Sequence, residues 1–251
     1  MNFWTKINTR WDENSLRGFS SIFRVLYLLF PLVIYYLSCD ITEVILYWLL
    51  NMGLSNASAE TLTLAAKYSG TLQGMIYGIG IVVALSILSK AGRNEITYVP
   101  EGEVKRKFKF TDALLLILIA FITSIALNYL LTITGIASSS AAYDSARDAQ
   151  YSVNIVSAIV LYGIVSPCVE EVMFRGILYN RLKRTFPLML SIVLQALLFG
   201  VFHGNIVQGI YGTLMGLLIG YAYERYETFI APVIIHITAN LGVYLITYFM
   251  K

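Results

Sequence analysis

Long apolar segments follow one another along this chain, and they restrict its possible folds more than any other feature. A helix that crosses a bilayer needs about 20 mostly apolar residues. Residues 41–50 are apolar but few, and they include Glu43, so we expect an interfacial or short packed helix there. The prediction is an all-α, polytopic transmembrane helical bundle of about seven spans. The predicted spans are residues 25–38, 72–88, 113–134, 153–180, 188–203, 206–223 and 229–250.

The composition excludes several classes of protein. The chain of 251 residues is 57% hydrophobic and 13% charged, whereas a soluble chain carries about 25% charged residues. So apolar a chain is neither disordered nor typical of a water-soluble enzyme. The net charge of +3, without a basic face that carries interleaved aromatic residues, argues against a nucleic-acid partner. We expect an integral membrane protein whose surroundings are the lipid bilayer.

Basic residues predict the orientation, because lysine and arginine are enriched in cytoplasmic loops. Most of them fall on one side of the seven predicted spans. This predicts a multi-pass protein of the cell membrane with a cytoplasmic N-terminus and an outer C-terminus. Residues 138–152 are small and polar, and we expect them to form an outer loop. The basic residues on the cytoplasmic side are Lys6, Arg10, Arg17, Lys90, Arg93, Lys105, Arg106, Lys107, Lys109, Arg181, Lys183, Arg184 and Arg225.

Ionisable residues inside the spans divide the chain into two parts. Residues 1–110 are expected to hold N-terminal membrane helices and a basic cytoplasmic loop, and residues 111–251 the C-terminal membrane helices. An ionisable side chain within a span is costly and suggests a functional site. The intramembrane acids and both histidines of the chain lie in the second part: Glu170, Glu171, His203 and His236.

Helical spacing indicates which of these side chains share a face. Glu171 and Arg175 are four residues apart with the acid first, which favours an ion pair. Glu170 lies about 100° around the helix, so we expect it to face water without a basic partner in its own helix. Pro167 and Pro232 precede Glu170 and His236 closely, and each can kink or open its helix.

The two other motifs each place a histidine beside a possible helper. Phe199 and His203 are four residues apart, as are His236 and Asn240. Glycines 212, 216 and 220 also recur every four residues, which favours close helix packing over ligand binding.

Two kinds of chemistry fit these residues. In one, Glu170 acts as a general base on water, and the histidines and Asn240 polarise that water or donate to an oxyanion. In the other, Glu170, His203 and His236 bind zinc as the three protein ligands of an open catalytic site. Both lead to hydrolysis of an acyl bond. The structural alternative is a buried charge cluster that only locks helices together.

The three motifs, in this order on successive membrane helices, resemble a known family. Glu-Glu-x-x-x-Arg at residues 170–175, Phe-x-x-x-His at 199–203 and His-x-x-x-Asn at 236–240 look like the CAAX protease and bacteriocin-processing (CPBP, or Abi) family of intramembrane proteases. The resemblance covers about residues 163–245. It implies an endopeptidase, and the chain's size is similar to that of a small bacterial member. No prenylated substrate is expected.

The resemblance also implies a role for each matching residue. Glu170 and His203 would activate the attacking water, and His236 and Asn240 would stabilise the oxyanion. Glu171, Arg175 and Phe199 would support the site. The cofactor is either none or Zn²⁺, since family members are labelled metalloproteases while a metal-free, glutamate-activated water is also described for them.

The expected function is an intramembrane endopeptidase that cleaves a peptide or a small membrane-protein precursor. Bacteriocin- or pheromone-type maturation, or the related self-immunity, would be its setting. One alternative is a non-catalytic membrane protein of the same fold that binds such a peptide, confers immunity or regulates a sensor. Another is a proton-coupled transporter that uses Glu170. No oligomeric state follows from the sequence.

Overall fold

Five of the predicted spans lie in the part of the chain that the structure describes. The computed structural model describes residues 107–152 and 154–250 and, in addition, scattered single residues between 25 and 58; those of them up to Met52 are helical. Most of the predictions for residues 1–106 lie outside the described residues. They concern the spans at 25–38 and 72–88, the short helix at 41–50 and the basic loop.

The described chain is all-helical, and we number its helices from the first complete one. In chain order they are α1 (Phe110–Ile133), α2 (Ala141–Ser152), α3 (residues 155–185), α4 (Leu188–Phe202), α5 (Ile206–Tyr226) and α6 (Ile230–Phe249). Four are long and apolar enough to cross a membrane, namely α1, α3, α5 and α6. The helical membrane bundle predicted from the sequence is therefore confirmed for the described residues.

Helix α4 is shorter than the span predicted at residues 188–203. Its 15 residues extend about 22 Å, which is less than the roughly 30 Å of a bilayer's hydrocarbon core. The helix begins after Pro187 and ends at a turn in which Gly204 adopts a left-handed conformation with φ of 71°. Asn205 then caps α5 by accepting a hydrogen bond from the Gln208 amide at 2.9 Å.

The segment predicted as an outer loop, residues 138–152, is largely helical, because residues 141–152 form the helix α2; its place outside the membrane stays a prediction. The Ser140 hydroxyl accepts a hydrogen bond from the Tyr143 amide at 3.2 Å, as at a helix N-terminus. Asp144 and Arg147 form an ion pair one turn further, at 3.1 Å. Small polar residues are thus compatible with a helix here, since its four alanines favour it and the Ser140 hydroxyl satisfies an amide at its N-terminus.

Helix α3 widens into a π-helical turn on each side of the predicted site. A wide π-helical turn has backbone bonds from residue i to i+5 and is frequent at functional sites. Both acidic residues of α3 lie in the short α-helical segment between two such turns. The segments are α-helical Ile155–Ala158, π-helical Ile159–Val165, α-helical Ser166–Glu171, π-helical Val172–Leu178 and α-helical Tyr179–Thr185.

Only one of the two predicted proline effects applies. Pro167 lies inside α3 as the second residue after the first π-helical turn. Pro232 is the third residue of α6, where a missing N–H leaves no helical bond unmade. The prediction that Pro232 kinks or opens its helix is therefore wrong.

Close backbone contact joins α4 and α5. A Cβ on Gly216 would lie 3.0 Å from the Ala196 Cα, and one on Gly212 would lie 3.3 Å from His203 Nδ1. The buried Gln195 side chain donates to the Gly216 carbonyl at 2.8 Å. The prediction that these glycines let helices pack closely is confirmed, and the contact fixes the end of α4 that carries His203.

Candidate active site

A buried ion pair and a histidine meet on a single carboxylate oxygen. Glu171 Oε1 accepts hydrogen bonds from Arg175 Nη1 and from His236 Nδ1, each at 2.7 Å. The side chains of Glu171 and Arg175 are fully buried, and that of His236 is 6% exposed. The ion pair predicted from helical spacing is confirmed, and it also ties α3 to α6.

This contact fixes which nitrogen of His236 carries a proton. A carboxylate oxygen only accepts, so Nδ1 must be the donor toward Glu171. The second nitrogen, Nε2, then lies 3.8 Å from Glu170 Oε2. The imidazole is therefore held between the two adjacent acids of α3, with one nitrogen toward each.

Glu170 is held through one oxygen and presents the other. Its Oε1 accepts a hydrogen bond from the Ser166 hydroxyl at 2.5 Å. Its Oε2 is buried and has no hydrogen-bond partner among the residues that the structure describes. A gap of 3.8 Å to His236 is too long for a direct hydrogen bond, but one water molecule can contact both atoms.

Phe199 packs between the ionisable groups of the site. Its ring meets the rings of His203 and His236 edge-on, with centroids 4.9 and 5.5 Å apart. The Arg175 guanidinium lies over the same ring at 4.5 Å. This aromatic residue thus contacts three of the five charged or titratable groups that the sequence motifs bring to the site.

His203 lies at the edge of this cluster. Its Nδ1 is 2.8 Å from the Phe199 carbonyl, so Nδ1–H is the donor and Nε2 is left as an acceptor in the neutral ring. The described contacts join Glu170 to His236, whereas the sequence resemblance paired Glu170 with His203. His203 contacts the other residues of the site through the ring of Phe199.

Asn240 makes a contact that the sequence did not predict. Its Nδ2 donates to the Tyr162 carbonyl at 3.0 Å. That carbonyl lies in the first π-helical turn, where the Ser166 amide donates to Leu161. The next amide in this register would be that of Pro167, which has no N–H. Asn240 thus satisfies a carbonyl that the proline leaves without a backbone donor.

The predicted zinc ligands do not form a metal site in this arrangement. An open catalytic zinc needs three protein ligands about 2 Å from one point. Within the described part of the chain, no group of three or more histidine, cysteine, aspartate and glutamate side chains is placed to hold a metal. Glu170, His203 and His236 therefore do not fit a three-ligand zinc centre here.

Sequence reasoning named most of the side chains in the cluster but missed Ser166. The missed signal was its position four residues before Glu170, which puts both on one face of a helix. The contact between Glu171 and His236 joins residues 65 positions apart, and no local pattern predicts it. The roles assigned to Glu170, His203, His236 and Asn240 stay predictions.

Comparison with known proteins matches the region that carries these residues. Residues 152–242 match the family model "Type II CAAX prenyl endopeptidase Rce1-like". A Bacillus subtilis (strain 168) protein described as "Putative membrane peptidase YdiL" is 26% identical over 82 residues, or 33% of this chain and 34% of that relative. The match thus spans about a third of the relative's length. No solved structure matches.

These matches coincide with the three motifs and with the helices that bring them together. The family model covers Glu170, Glu171, His203, His236 and Asn240. Through its residues 152–242, this membrane protein is therefore similar to the CAAX protease and bacteriocin-processing family.

Proposed function

We propose that the chain is an intramembrane endopeptidase that hydrolyses a peptide bond with a water molecule held by Glu170. The observation that carries the proposal is the buried Oε2 of Glu170, which faces His236 Nε2 at 3.8 Å. One oxygen of this carboxylate is held by a hydrogen bond, and the other has no hydrogen-bond partner and lies beside an imidazole. Such a carboxylate suits general-base catalysis. The family match supports a peptidase activity.

The proposed reaction uses the two acids differently. Glu170 Oε2 takes a proton from water as the water oxygen attacks the peptide carbonyl, and then passes that proton to the leaving amine. Glu171 holds His236 through Nδ1, as an acid orients the histidine of a catalytic triad. His236, as an imidazolium, donates its Nε2–H to the oxyanion.

Asn240 and His203 complete the proposed site. The Asn240 amide has two N–H groups, and one of them donates to Tyr162. The other is the proposed second donor to the oxyanion. His203 Nε2, left as an acceptor, is proposed to orient the attacking water. No metal takes part in this proposal. Near-stoichiometric zinc in purified protein that is lost in His236→Ala would contradict it.

We further infer that the substrate is a peptide or a small membrane-protein precursor that reaches the site from the bilayer. The site lies among helices long and apolar enough to span a membrane. The matched relative is described as a "Putative membrane peptidase". Maturation of a bacteriocin- or pheromone-type peptide, or self-immunity, would be consistent with such a substrate.

Mass spectrometry of peptides from cell membranes tests the proposed function. Membranes with the wild-type protein should contain peptide fragments that disappear in Glu170→Gln. The control is Asp148→Asn, which removes an exposed carboxylate from α2 and should leave the fragments unchanged. Fragments that persist in Glu170→Gln would refute the peptidase. A bound but uncleaved peptide would identify a binding protein instead, and gradient-dependent peptide flux a transporter.

A further inference from the structure

Ser166 occupies a position in α3 where a serine usually bonds to its own helix. A serine inside a helix commonly donates its hydroxyl to the carbonyl four residues earlier. For Ser166 that carbonyl belongs to Tyr162, which already accepts the Asn240 amide at 3.0 Å. The Ser166 hydroxyl instead donates forward to Glu170 Oε1 at 2.5 Å.

This bond decides which oxygen of Glu170 faces the site. With Oε1 bound to Ser166, Oε2 is the oxygen that lies toward His236. A glutamate side chain has three rotatable bonds, and its last torsion is broad. Without a second contact the carboxylate would therefore sample other orientations. Arg175, the nearest basic residue of the same helix, forms its ion pair with Glu171 and so does not replace the hydroxyl.

We propose that Ser166 is a positioning residue that holds Glu170 in the orientation needed for general-base catalysis. The proposal rests on the proposed function for its kinetic consequence, while the hydrogen bond itself is tested separately. Ser166 contacts neither water nor substrate in this proposal. It acts through Glu170. Its hydroxyl is available for this bond because Asn240 already donates to the Tyr162 carbonyl, which the π-helical turn and Pro167 leave without a backbone donor.

Kinetics with a synthetic copy of a peptide found by the membrane comparison provide the first test. Ser166→Ala should lower kcat about 10-fold with KM unchanged, because the orientation of the base contributes only part of its 10²–10⁴-fold effect. Ser166→Thr keeps the hydroxyl and should restore kcat. The matched control is Ser191→Ala, which removes a buried hydroxyl that donates to the carbonyl of Pro187, the residue just before its own helix. A rise in KM with kcat unchanged, or no recovery in Ser166→Thr, would overturn the proposal.

Infrared spectroscopy of ¹³C-glutamate-labelled protein is the second test and requires no substrate. The difference between wild type and Glu170→Gln isolates the carboxyl band of Glu170. Ser166→Ala should shift that band, and Ser166→Thr and Ser191→Ala should leave it in place. A band unmoved by Ser166→Ala would overturn the proposal even where peptide cleavage occurs. A shifted band without any cleavage by wild type would leave the hydrogen bond established and refute the peptidase.

Discussion

Glu171 accepts two hydrogen bonds of the site through a single oxygen. Its Oε1 accepts from both Arg175 and His236, so this single carboxylate links two turns of α3 and the middle of α6. A buried charge is tolerated when it is paired and hydrogen-bonded. At this scale Glu171 is a structural anchor that also orients a histidine, and Glu170 is the acid whose unbonded Oε2 faces His236 Nε2.

Removing Glu171 should therefore lower the free energy of unfolding by more than the loss of its own hydrogen bonds. Glu171→Ala leaves the fully buried Arg175 without its ion pair, which typically destabilises a protein by about 3–5 kcal/mol. Denaturant unfolding in detergent micelles measures the loss. The control is Asp144→Asn, which breaks the exposed pair with Arg147 and should cost about 0.3–0.5 kcal/mol. Equal losses for the two variants would contradict the anchoring role.

Helix α3 shows how an element places several groups at once. Its first π-helical turn and Pro167 leave the Tyr162 carbonyl to Asn240, and Asn240 in turn leaves the Ser166 hydroxyl to Glu170. One irregularity of the backbone is thus connected to two of the side chains in the site. The second π-helical turn follows Glu171 directly.

A double-mutant cycle tests the link between Pro167 and Asn240. Asn240→Ala leaves the Tyr162 carbonyl without its donor, which should cost about 1–3 kcal/mol of unfolding free energy. Pro167→Ala supplies an N–H at the position that can bond this carbonyl. Asn240→Ala should therefore cost less in the Pro167→Ala background, with a coupling of about 0.5 kcal/mol or more. Additive losses would contradict the link.

Two facing glycines test the contact between α4 and α5. A Cβ on Gly200 would lie 2.4 Å from the Gly209 carbonyl oxygen, while one on Gly209 would lie 3.5 Å from the Gly200 carbonyl oxygen. Gly200→Ala should destabilise the protein by about 1–3 kcal/mol, because the helices must separate. Gly209→Ala should be neutral or slightly stabilising, since alanine favours helices. Thermal unfolding in detergent compares them, and equal stability of both variants would be inconsistent with this packing.

Helix positions could be predicted from the sequence because apolar runs and their ends are local features. The predicted spans at 113–134 and 206–223 agree with α1 and α5 within a few residues. The ion pair of Glu171 and Arg175 followed from helical spacing. Three features could not be predicted: the π-helical turns, the helix α2 and the contact from Glu171 to His236. They depend on competition between local bonds and on packing between distant segments.

Residues of the N-terminal part pack against the half of the molecule that carries the candidate site. Leu28 and Tyr35 pack with Phe174 and Phe199 of the candidate site, and the Tyr35 ring lies 4.7 Å from that of Phe202. The N-terminal part thus contributes to the core beside α3 and α4. This contact supports treating both parts as one bundle in any experiment on activity.

The basic residues predict an orientation of the bundle in the membrane, and that orientation can be measured directly. We predict that alkaline phosphatase fused after Lys251 is active on intact cells, because the C-terminus is proposed to lie outside. The same enzyme inserted between Lys90 and Lys109 should be inactive, since those basic residues are expected to face the cytoplasm. The reverse pattern would invert the proposed topology.

Incorporation of ¹⁸O from labelled water tests the central claim most directly. Purified protein in lipid vesicles is incubated with the substrate peptide in H₂¹⁸O, and the products are analysed by mass spectrometry. The account predicts one ¹⁸O atom in the new C-terminal carboxylate with wild type and a rate at least about 10²-fold lower with Glu170→Gln. Equal rates of labelled product from wild type and Glu170→Gln would contradict it.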